Sequence, residues 1–311
     1  MPHAPLRVVP AVADALRRRV PIVALESSVL AQGLPIPANR RAADLMSSAV
    51  VARGAVPAVT AVVGGTPTLG LEAEELACFL RRDGVEKVSA RDLAWAMVRG
   101  VNGATTVAAA LVLAALAGVQ VFATGGIGGV HREVSAQPAG WARDESSDLI
   151  ELARTPLIVV CAGAKSILDL TATWERLETL GVPVLGFRTD ELPAFFTAES
   201  SIRLTARVES AEEVVEVFHA HRALSRPSAL VVVQPPPAAV ALNRTDVDRA
   251  VARAVARANA EGIRGAAVTP FLLAAVERET EGRSLEANLG LLEANARLAA
   301  EISVQLTKVK G

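Results

Sequence analysis

Lysine is rare in this chain, and one lysine occupies a position suited to covalent chemistry. Only four lysines stand among the 32 basic residues, and Lys308 and Lys310 lie in the last four positions. Lys165 follows an apolar run and a Gly-Ala pair in the segment VVCAGAKSILDL. Arginine cannot lose its proton, whereas a desolvated lysine can become a neutral amine and attack a carbonyl carbon. We therefore predict an enzyme that uses Lys165 as an amine nucleophile.

A carboxylate ends the first strand-like apolar run. Glu26 follows PIVAL and precedes Ser27 and Ser28. A carboxylate at the end of a buried strand must be paired, hydrogen-bonded or functional. Glu26 is therefore a candidate proton donor, and the alternative is a structural salt bridge.

The segment ARDESSDLIEL carries a dense group of oxygen ligands. Three acids (Asp144, Glu145 and Asp148) surround two serines (Ser146 and Ser147). Hard cations such as Mg²⁺ or Mn²⁺ favour a few carboxylates together with water and ligand oxygens. The same residues would also make an acidic helix start capped by a serine, and the spacing alone slightly favours that cap.

Two glycine-rich segments each follow a predicted strand. ATGGIGGVHRE (Ala123–Glu133) is not a P-loop, because no GK[ST] follows it, and not a dinucleotide fingerprint, because no helical pattern starts at its end. It suits either phosphate binding or a simple tight turn. His131 ends this segment, and we expect it to be a polar contact of a site. GGTPTLG (Gly64–Gly70) is interpreted as an ordinary strand-to-helix turn.

Two short polar segments could bind an anion. Thr105 and Thr106 are expected in the first turn of an Ala-rich helix, where hydroxyls and free N–H groups attract negative charge. Lys87, in KVSARDL, could add a point charge to the same phosphate, although a solvated lysine is the ordinary interpretation.

Continuous apolar strands alternate with helical patterns, which predicts an α/β protein with a sheet covered on both faces. After Pro235–Pro237 the pattern becomes mostly helical, and Thr269-Pro270 looks like a helix start. We expect one integrated domain over residues 1–311. The predicted strands are Ile22–Glu26, Ala58–Gly64, Val119–Thr124, Leu157–Ala162, Val182–Phe187 and Ala229–Gln234. The predicted helices are Ala38–Ala52, Glu72–Arg82, Ala104–Ala117, Ser146–Ala153, Ser166–Thr179, Asp246–Glu261, Pro270–Glu279 and Leu285–Leu306.

Composition excludes several classes of protein. A net charge of -1, no Tyr and 3% aromatic residues argue against a nucleic-acid binder. Two cysteines make no disulfide framework, and Cys161 is expected in the core. No segment has the order of a signal peptide or the length of a membrane span, so we expect no membrane partner and a cytoplasmic protein.

Taken in order, the segments resemble the indigoidine synthase A-like family, which includes pseudouridine-5'-phosphate glycosidases. The resemblance covers nearly the whole chain. It is carried by ALESSVLAQGLPIPAN, KVSARDL, NGATTVAAALVLAALAGVQVFATGGIGGVHR, VVCAGAKSILDL, TPFLL and SLEANLGLLEANA.

The resemblance implies a three-layer α/β/α core with a central, mostly parallel sheet and a helical C-terminal segment. It also implies a homotrimer, a divalent metal, typically Mn²⁺, and reversible cleavage of pseudouridine 5'-phosphate to uracil and ribose 5-phosphate. The implied Schiff-base lysine is Lys165, the proton-transferring glutamate is Glu26 and the metal ligand is Asp144. The implied substrate contacts are Lys87, Thr106, Val107, Thr124, His131, Ser146, Ser147, Asp148 and Asn288.

This chemistry suits a lysine and a glutamate. Ribose and uracil are joined by a carbon–carbon bond, so protonating a leaving oxygen cannot break it. An iminium between Lys165 and C1' of the ring-opened sugar would supply the electron sink, with Glu26 as the acid–base partner. The chain departs from the family pattern at Ser28, at Gln32 (usually His), at Ala90 (commonly Arg) and in a longer stretch at 135–140.

Two other functions fit the same residues. One is a lyase or aldolase-like enzyme that acts on sugar phosphates through Lys165. The other is a sugar-phosphate-binding protein without turnover, whose ligand-induced stabilisation would survive Lys165→Ala.

Overall fold

A mostly parallel sheet runs through the protein in the computed structural model, which describes residues 6–132 and 144–308. The strand order is β1-β4-β3-β2-β7-β9-β13-β11-β12, with β6 on β3 and β5 on β6. The strands are β1 (Arg7–Val8), β2 (Ile22–Leu25), β3 (Val56–Val63), β4 (Thr66–Leu69), β5 (Val85–Val88), β6 (Asn102–Thr105), β7 (Val121–Ala123), β8 (Val130–His131), β9 (Ile158–Cys161), β10 (Leu168–Asp169), β11 (Val184–Phe187), β12 (Arg207–Val208) and β13 (Leu230–Val233).

Only the pairings of β3 with β4 and with β6 are antiparallel within this sheet. The small β8–β10 pair lies apart from it and is also antiparallel. The central strands β2, β7, β9 and β13 are buried along their whole length. Such continuous burial requires cover on both faces, which is why these strands read as unbroken apolar runs. All six predicted strands are present, with bounds within two residues of the prediction.

Helices cover both faces of the sheet, as the α/β/α prediction requires. On one face α11 lies against β2, β7 and β9 and packs with α2 and α8; α5 contacts β2, β3 and β4 and packs with α6. The helices are α1 (Pro10–Arg17), α2 (Ala38–Val51), α3 (Ala73–Arg81), α4 (Leu93–Arg99), α5 (Val107–Leu116), α6 (Ser147–Leu152), α7 (Leu170–Thr179), α8 (Ala211–Ala223), α9 (Arg244–Ala260), α10 (Val268–Glu279) and α11 (Arg283–Lys308).

The predicted helix Ala104–Ala117 starts too early. Residues 102–105 form β6, whose main chain pairs with β3 and β5, and the helix begins at Val107 with Thr106 as its N-cap. Alanine-rich sequence favours a helix, but strand pairing on both sides overrides that local preference. Thr105 therefore lies in a strand and not in the first turn of α5.

Three further boundaries differ from the prediction. Gly64–Gly70 is not a strand-to-helix turn, because it contains β4 and closes a hairpin with β3 through two glycines of positive φ. Helix α7 starts at Leu170 rather than Ser166, since Leu168–Asp169 pairs with β8. Helix α10 starts at Val268, so Thr269-Pro270 lies inside its first turn and not at its cap.

The core explains the cysteine prediction. Cys161 ends β9 and is fully buried, as expected, and burial raises the pKa of its thiol to about 12. Within residues 6–132 and 144–308, no helix has both the length and the apolarity needed to span a bilayer.

Candidate active site

The predicted reactive residues meet at one edge of the sheet. Glu26 directly follows β2 and Thr124 directly follows β7, while Lys165 comes shortly after β9. These three strands are parallel neighbours in the order β2-β7-β9. The carboxyl ends of parallel strands form the usual binding edge of an α/β sheet. The topology therefore brings together residues that are 139 positions apart at the extremes, Glu26 and Lys165.

Glu26 is held by two hydroxyl groups. It is 5% exposed, and its two carboxylate oxygens accept hydrogen bonds from Ser28 Oγ and Thr124 Oγ1. Ser28 immediately precedes a short π-helical turn, Val29–Gly33. Such turns are uncommon and are found frequently at functional sites. The predicted salt bridge, the alternative role for Glu26, is not seen in the part of the chain that the structure describes.

Lys165 is oriented by the turn after β7. Its Nζ donates to Gly126 O at 2.8 Å, and the side chain is half-buried. The chain reaches Lys165 through Gly163, which has φ +81°, and a Cβ there would lie 2.2 Å from Pro193 O. Glycine is required at that position. Residues 124–126 thus contact both reactive side chains, Glu26 through a hydroxyl and Lys165 through a carbonyl.

Asp148 binds main-chain groups. It is 4% exposed, with Oδ1 accepting from Ala108 N at 3.0 Å and Oδ2 from Gly128 N at 2.8 Å. The first bond places a protein carboxylate at the N-terminus of α5, where an external anion was expected to bind. Thr106 accepts from Ala109 N at 3.5 Å as the N-cap, so its hydroxyl is also engaged.

Thr105, which was also expected to bind an anion, is fully buried in a network of hydroxyl groups. Its Oγ1 donates to Thr60 O at 2.8 Å, and it lies 3.2 Å from Ser27 Oγ and 2.8 Å from Thr60 Oγ1. Its N–H donates to Ser27 Oγ at 2.9 Å. The network ties β6 and β3 to the residue after Glu26. Thr105 therefore fixes strands beneath the site, and the expectation that it binds an anion is wrong.

The glycines of the loop after β7 are explained by close packing. A Cβ on Gly126 would lie 2.6 Å from the Phe195 ring, and one on Gly128 would lie 2.2 Å from Ser146 Oγ. None of the four loop glycines has positive φ. The backbone here approaches neighbouring protein segments, and the Gly128 N–H is taken by Asp148. Of the two interpretations left open, these contacts favour the tight, closely packed turn.

Charged side chains converge on the same place. Burial lowers the pKa of Lys87, the charge of Lys165 lowers it further, and Asp148 and Glu26 act in the opposite direction. The residue as a whole is exposed. These four groups lie within electrostatic reach of one another, which makes a single site.

His131 belongs to the same cluster. Burial lowers the pKa of its imidazole, Asp144 opposes that shift, and Lys165 and Lys87 add to it. The main-chain N–H of His131 donates to the main-chain carbonyl oxygen of Asp144 at 2.8 Å. A neutral imidazole at pH 7 could donate or accept one hydrogen bond with a ligand. His131 thus lies where a polar site contact was expected.

The acidic segment combines a helix cap with one available carboxylate. Ser146 is the N-cap of α6 and accepts from Asp148 N at 3.2 Å, as the cap interpretation predicts. Ser147 Oγ lies 2.7 Å from Ser89 Oγ, which connects this segment to the strand of Lys87. Glu145 forms an ion pair with Arg176 at 2.9 Å, so its carboxylate already has a charged partner.

Asp144 is the remaining acid of that segment, and its residue is exposed. No group of three or more His, Cys, Asp or Glu suited to a metal is found within residues 6–132 and 144–308. A cation at Asp144 would need water or substrate oxygens to complete its shell. That donor set suits Mg²⁺ or Mn²⁺, which retain water readily, better than a metal that needs several nitrogen or sulfur ligands.

Helix α11 presents two asparagines to the turn after β7. Asn288 is 7% exposed, and its Oδ1 has no hydrogen-bond partner among the described residues. This oxygen would lie 3.4 Å from a Cβ on Gly125. A buried polar atom without a partner is unfavourable unless a ligand completes it, so a donor from a bound base would suit it. Val107, another predicted contact, is 1% exposed at the start of α5.

Asn295 is a residue of this region that sequence reasoning did not identify. It lies two helical turns after Asn288 and donates to Thr124 O at 2.8 Å. Its signal was present in the sequence, because an asparagine on the apolar face of a helix must find a buried partner. The pattern could not reveal which main-chain group that partner is.

A cavity of about 540 Å³ borders the site. It is lined by His131 and Ser166 on the side of the site and by residues of the β11–α9 region, among them Thr197 and Arg244, on the other. Neither Glu26 nor Lys165 lines it. The electrostatic cluster, and not this cavity, therefore locates the chemistry.

Comparison with known proteins identifies the family of the chain. The sequence profile of the family described as "Indigoidine synthase A like protein" matches residues 11–305. A protein of Gemmatimonas aurantiaca named pseudouridine-5'-phosphate glycosidase is 61% identical over 302 residues, covering 97% of this chain and 96% of the relative. One of the same name from Escherichia coli K12 is 45% identical, covering 98% and 97%.

Two solved structures share the fold. A prealnumycin C-glycosynthase in complex with ribulose 5-phosphate has a TM-score of 0.89 and 39% identity, covering 98% of each chain. An indigoidine synthase A-like protein of Thermotoga maritima has a TM-score of 0.87 and 33% identity, covering 99% of this chain and 98% of that one. The chain belongs to the indigoidine synthase A-like family.

Proposed function

We propose that this protein is an enzyme that reversibly cleaves the C-glycosidic bond of pseudouridine 5'-phosphate, giving uracil and ribose 5-phosphate. One observation carries the proposal: the half-buried Lys165 and the buried Glu26 both form hydrogen bonds with the same three-residue turn, residues 124–126. Support also comes from relatives named pseudouridine-5'-phosphate glycosidase and from a C-glycosynthase of the same fold that binds ribulose 5-phosphate.

The chemistry begins with opening of the ribose ring. Glu26 delivers a proton to the ring oxygen as the C1'–O4' bond breaks, and the Lys165 amine adds to C1'. The C1'–C5 bond then breaks, its electron pair passes to uracil C5, and C5 takes up a proton. C1' remains as an iminium on Lys165. Water hydrolyses it to ribose 5-phosphate and frees the amine, so the net reaction consumes one water.

The other site residues hold the substrate. Lys87 supplies a positive charge for the phosphate, near Thr106 and Val107 at the start of α5. The orphaned Asn288 Oδ1 can accept an N–H of the base, close to Thr124. His131 and the segment of Ser146, Ser147 and Asp148 are the remaining proposed substrate contacts.

A divalent cation, typically Mn²⁺, completes the proposal. Asp144 would hold it, and when bound it would supply positive charge that orients anionic and hydroxyl groups of the substrate. None of the proposed bond-making and bond-breaking steps requires the cation as a reactant. Activity that is lost with a chelator and restored by Mn²⁺ is expected, and an Asp144→Asn variant should need more Mn²⁺ for half-maximal activity.

The decisive experiment follows free uracil by chromatography after adding pseudouridine 5'-phosphate and Mn²⁺. Wild type should release uracil, whereas Lys165→Ala and Lys165→Arg should not, since arginine keeps the charge but cannot become a neutral amine. Borohydride should trap ribose 5-phosphate on Lys165 of the wild type. Release of uracil by Lys165→Ala would contradict the proposed imine on Lys165. Folded wild type that releases no uracil would refute the proposed reaction.

A homotrimer in the cytoplasm is also part of the proposal. Its support is the resemblance to the family. Light scattering at several protein concentrations tests it, and a monomer mass that does not change with concentration would contradict it.

A further inference from the structure

The amide of Asn295 joins the C-terminal helix to the turn at the site. Asn295 is 1% exposed, and its Nδ2 donates to Thr124 O at 2.8 Å and to Gly125 O at 3.3 Å. Its Oδ1 accepts from Gln234 Nε2 at 2.9 Å. Both ends of the amide are engaged, and this fixes which end faces the turn.

The turn that Asn295 holds serves both reactive side chains. Thr124 Oγ1 donates to Glu26, and Gly126 O accepts from Lys165 Nζ at 2.8 Å. Peptide units are planar and nearly rigid. The plane that contains Thr124 O includes the Cα that bears the Thr124 side chain, and the plane that contains Gly125 O includes the Cα of Gly126. By holding both carbonyls, Asn295 restrains the Thr124 hydroxyl on one side and the Gly126 carbonyl on the other.

The same helix contains a second buried bond of this kind, far from the site. Ser303 is 4% exposed, and its Oγ donates to Ile22 O at 3.0 Å. Ile22 begins β2, while Glu26 follows the other end of that strand. Along the helix Ser303 lies about 12 Å from Asn295, at 1.5 Å per residue. Helix α11 thus contacts the sheet through two buried polar side chains: Asn295 at the site and Ser303 away from it.

We infer that Asn295, supported by Gln234, is a positioning residue that sets the placement of Glu26 relative to Lys165. It acts through the main chain of Thr124 and Gly125 and not by contact with the reacting atoms. The inference rests on the proposed function, in which these two side chains perform the chemistry.

The test compares Asn295→Ala with Ser303→Ala in the full chain. Ser303→Ala loses one buried hydrogen bond to the sheet, and Asn295→Ala loses the bonds to Thr124 O and Gly125 O and the bond from Gln234. Both variants are therefore expected to unfold at a lower temperature than wild type, and Asn295→Ala at the lower one. For pseudouridine 5'-phosphate cleavage, kcat of Asn295→Ala should fall about tenfold or more, because small misplacements of reacting groups are costly. Its KM should stay within about threefold and its pH profile should shift.

Ser303→Ala should keep the wild-type kcat and pH profile. An Asn295→Ala variant with the same kcat and pH profile as Ser303→Ala would overturn the inference. Gln234→Leu covers the case in which Asn295→Ala does not fold, since it removes only the support behind Asn295. It should lower kcat about threefold with KM unchanged, and a wild-type kcat and pH profile in Gln234→Leu would equally overturn it.

Hydrogen exchange separates this inference from the proposed function. Peptides covering residues 121–130 should exchange faster in Asn295→Ala than in wild type, whereas Ser303→Ala should affect only peptides around Ile22. Wild type that releases no uracil would refute the proposed function, yet the exchange comparison would still be informative. Unchanged exchange over 121–130 in Asn295→Ala would refute the positioning role by itself.

Discussion

Two carboxylates of similar burial border the candidate site, and they are held in opposite ways. Glu26 is 5% exposed and Asp148 is 4% exposed. Glu26 accepts hydrogen bonds from two side-chain hydroxyls, at the carboxyl end of the sheet. Asp148 accepts from the main-chain N–H groups of Ala108 and Gly128, at the start of a helix and in a glycine loop.

The partners decide what each carboxylate can do. A hydroxyl can rotate and change from donor to acceptor, so Glu26 can take up a proton and keep both partners. A main-chain N–H only donates, so the two partners of Asp148 cannot reverse their role as the hydroxyl partners of Glu26 can. Glu26 is thereby suited to proton transfer, whereas Asp148 is suited to fixing α5 and the glycine loop in place.

Replacing Glu26 by Gln tests the first half of this comparison and has the largest expected effect. The amide keeps the size and can hydrogen-bond to both hydroxyls but cannot shuttle a proton. We expect kcat to fall by about 10²- to 10⁴-fold, with a Tm within about 3 °C of wild type. Uracil release and thermal unfolding measure the two effects. A variant that retains a third of the wild-type kcat would break the comparison.

Lys87 lies in the field of both carboxylates, and Lys87→Met measures what its charge contributes. We expect KM for pseudouridine 5'-phosphate to rise about 10- to 100-fold, the value of a charged hydrogen bond to phosphate. The nucleoside without phosphate is the control, because its KM should hardly change. An equal loss of affinity for nucleoside and nucleotide would place the phosphate elsewhere.

The same variant has a predicted effect on stability. Burial lowers the pKa of Lys87, so folding disfavours its protonated form. The penalty is full at pH values below the lowered pKa, and it fades as the pH rises from there towards 10.5, the ordinary value. Unliganded Lys87→Met should therefore have a Tm equal to or above that of wild type at pH 7, and a clearly lower Tm would contradict this sign.

Asp148→Asn tests the second half of the comparison. One of its two N–H partners would face an NH₂ group and lose its acceptor, so the free energy of unfolding should fall by about 2 kcal/mol. Glu151→Gln on the same helix is the matched control, since Glu151 is also 4% exposed but is paired with the side chains of Arg154 and Thr155, which can adjust. Chemical denaturation measures both. Equal losses in the two variants would mean that main-chain donors make no difference.

The smallest effect is expected from single hydroxyls on Glu26. Thr124→Val removes one donor and keeps the shape, and kcat should fall about tenfold if that bond contributes about 1 kcal/mol or more in the transition state. Thr124→Ser keeps the hydroxyl and should recover most of the activity. Ser28→Ala removes the other donor and should resemble Thr124→Val. Unequal pH profiles of these two variants would show that one hydroxyl matters more for proton transfer.

Much of the fold could be predicted from periodicity. The six central strands were identified because strands buried on both faces are continuous apolar runs. Two strands beside β3 were missed: β4, between β1 and β3, looked like a turn, and β6, between β3 and β5, looked like the start of an alanine-rich helix. Helices α1, α4 and α8 were also missed: α1 and α4 are only eight and seven residues long, and α8 has a weaker amphipathic pattern.

The candidate site was identified unevenly, and the reason lies in how each residue stands out. Lys165 is conspicuous because lysine is rare, and Glu26 because a charge follows an apolar strand. Asn295 forms its bond with residues about 170 positions away, and no local pattern encodes that partner. Thr105 was misplaced for a similar reason, since its network joins three separate segments.

The sequence by itself determined the six apolar strands, the family and the candidate reactive side chains, because these depend on local composition and on motifs with fixed spacing. Tertiary structure alone decided which groups hold the side chains. Hydroxyl groups hold Glu26, the Gly126 carbonyl in the turn after the neighbouring strand β7 holds Lys165, and two main-chain N–H groups hold Asp148. Those partners come from parallel strands and helices far apart in the chain. Their hydrogen-bond geometry exists only after the sheet order β2-β7-β9 has formed.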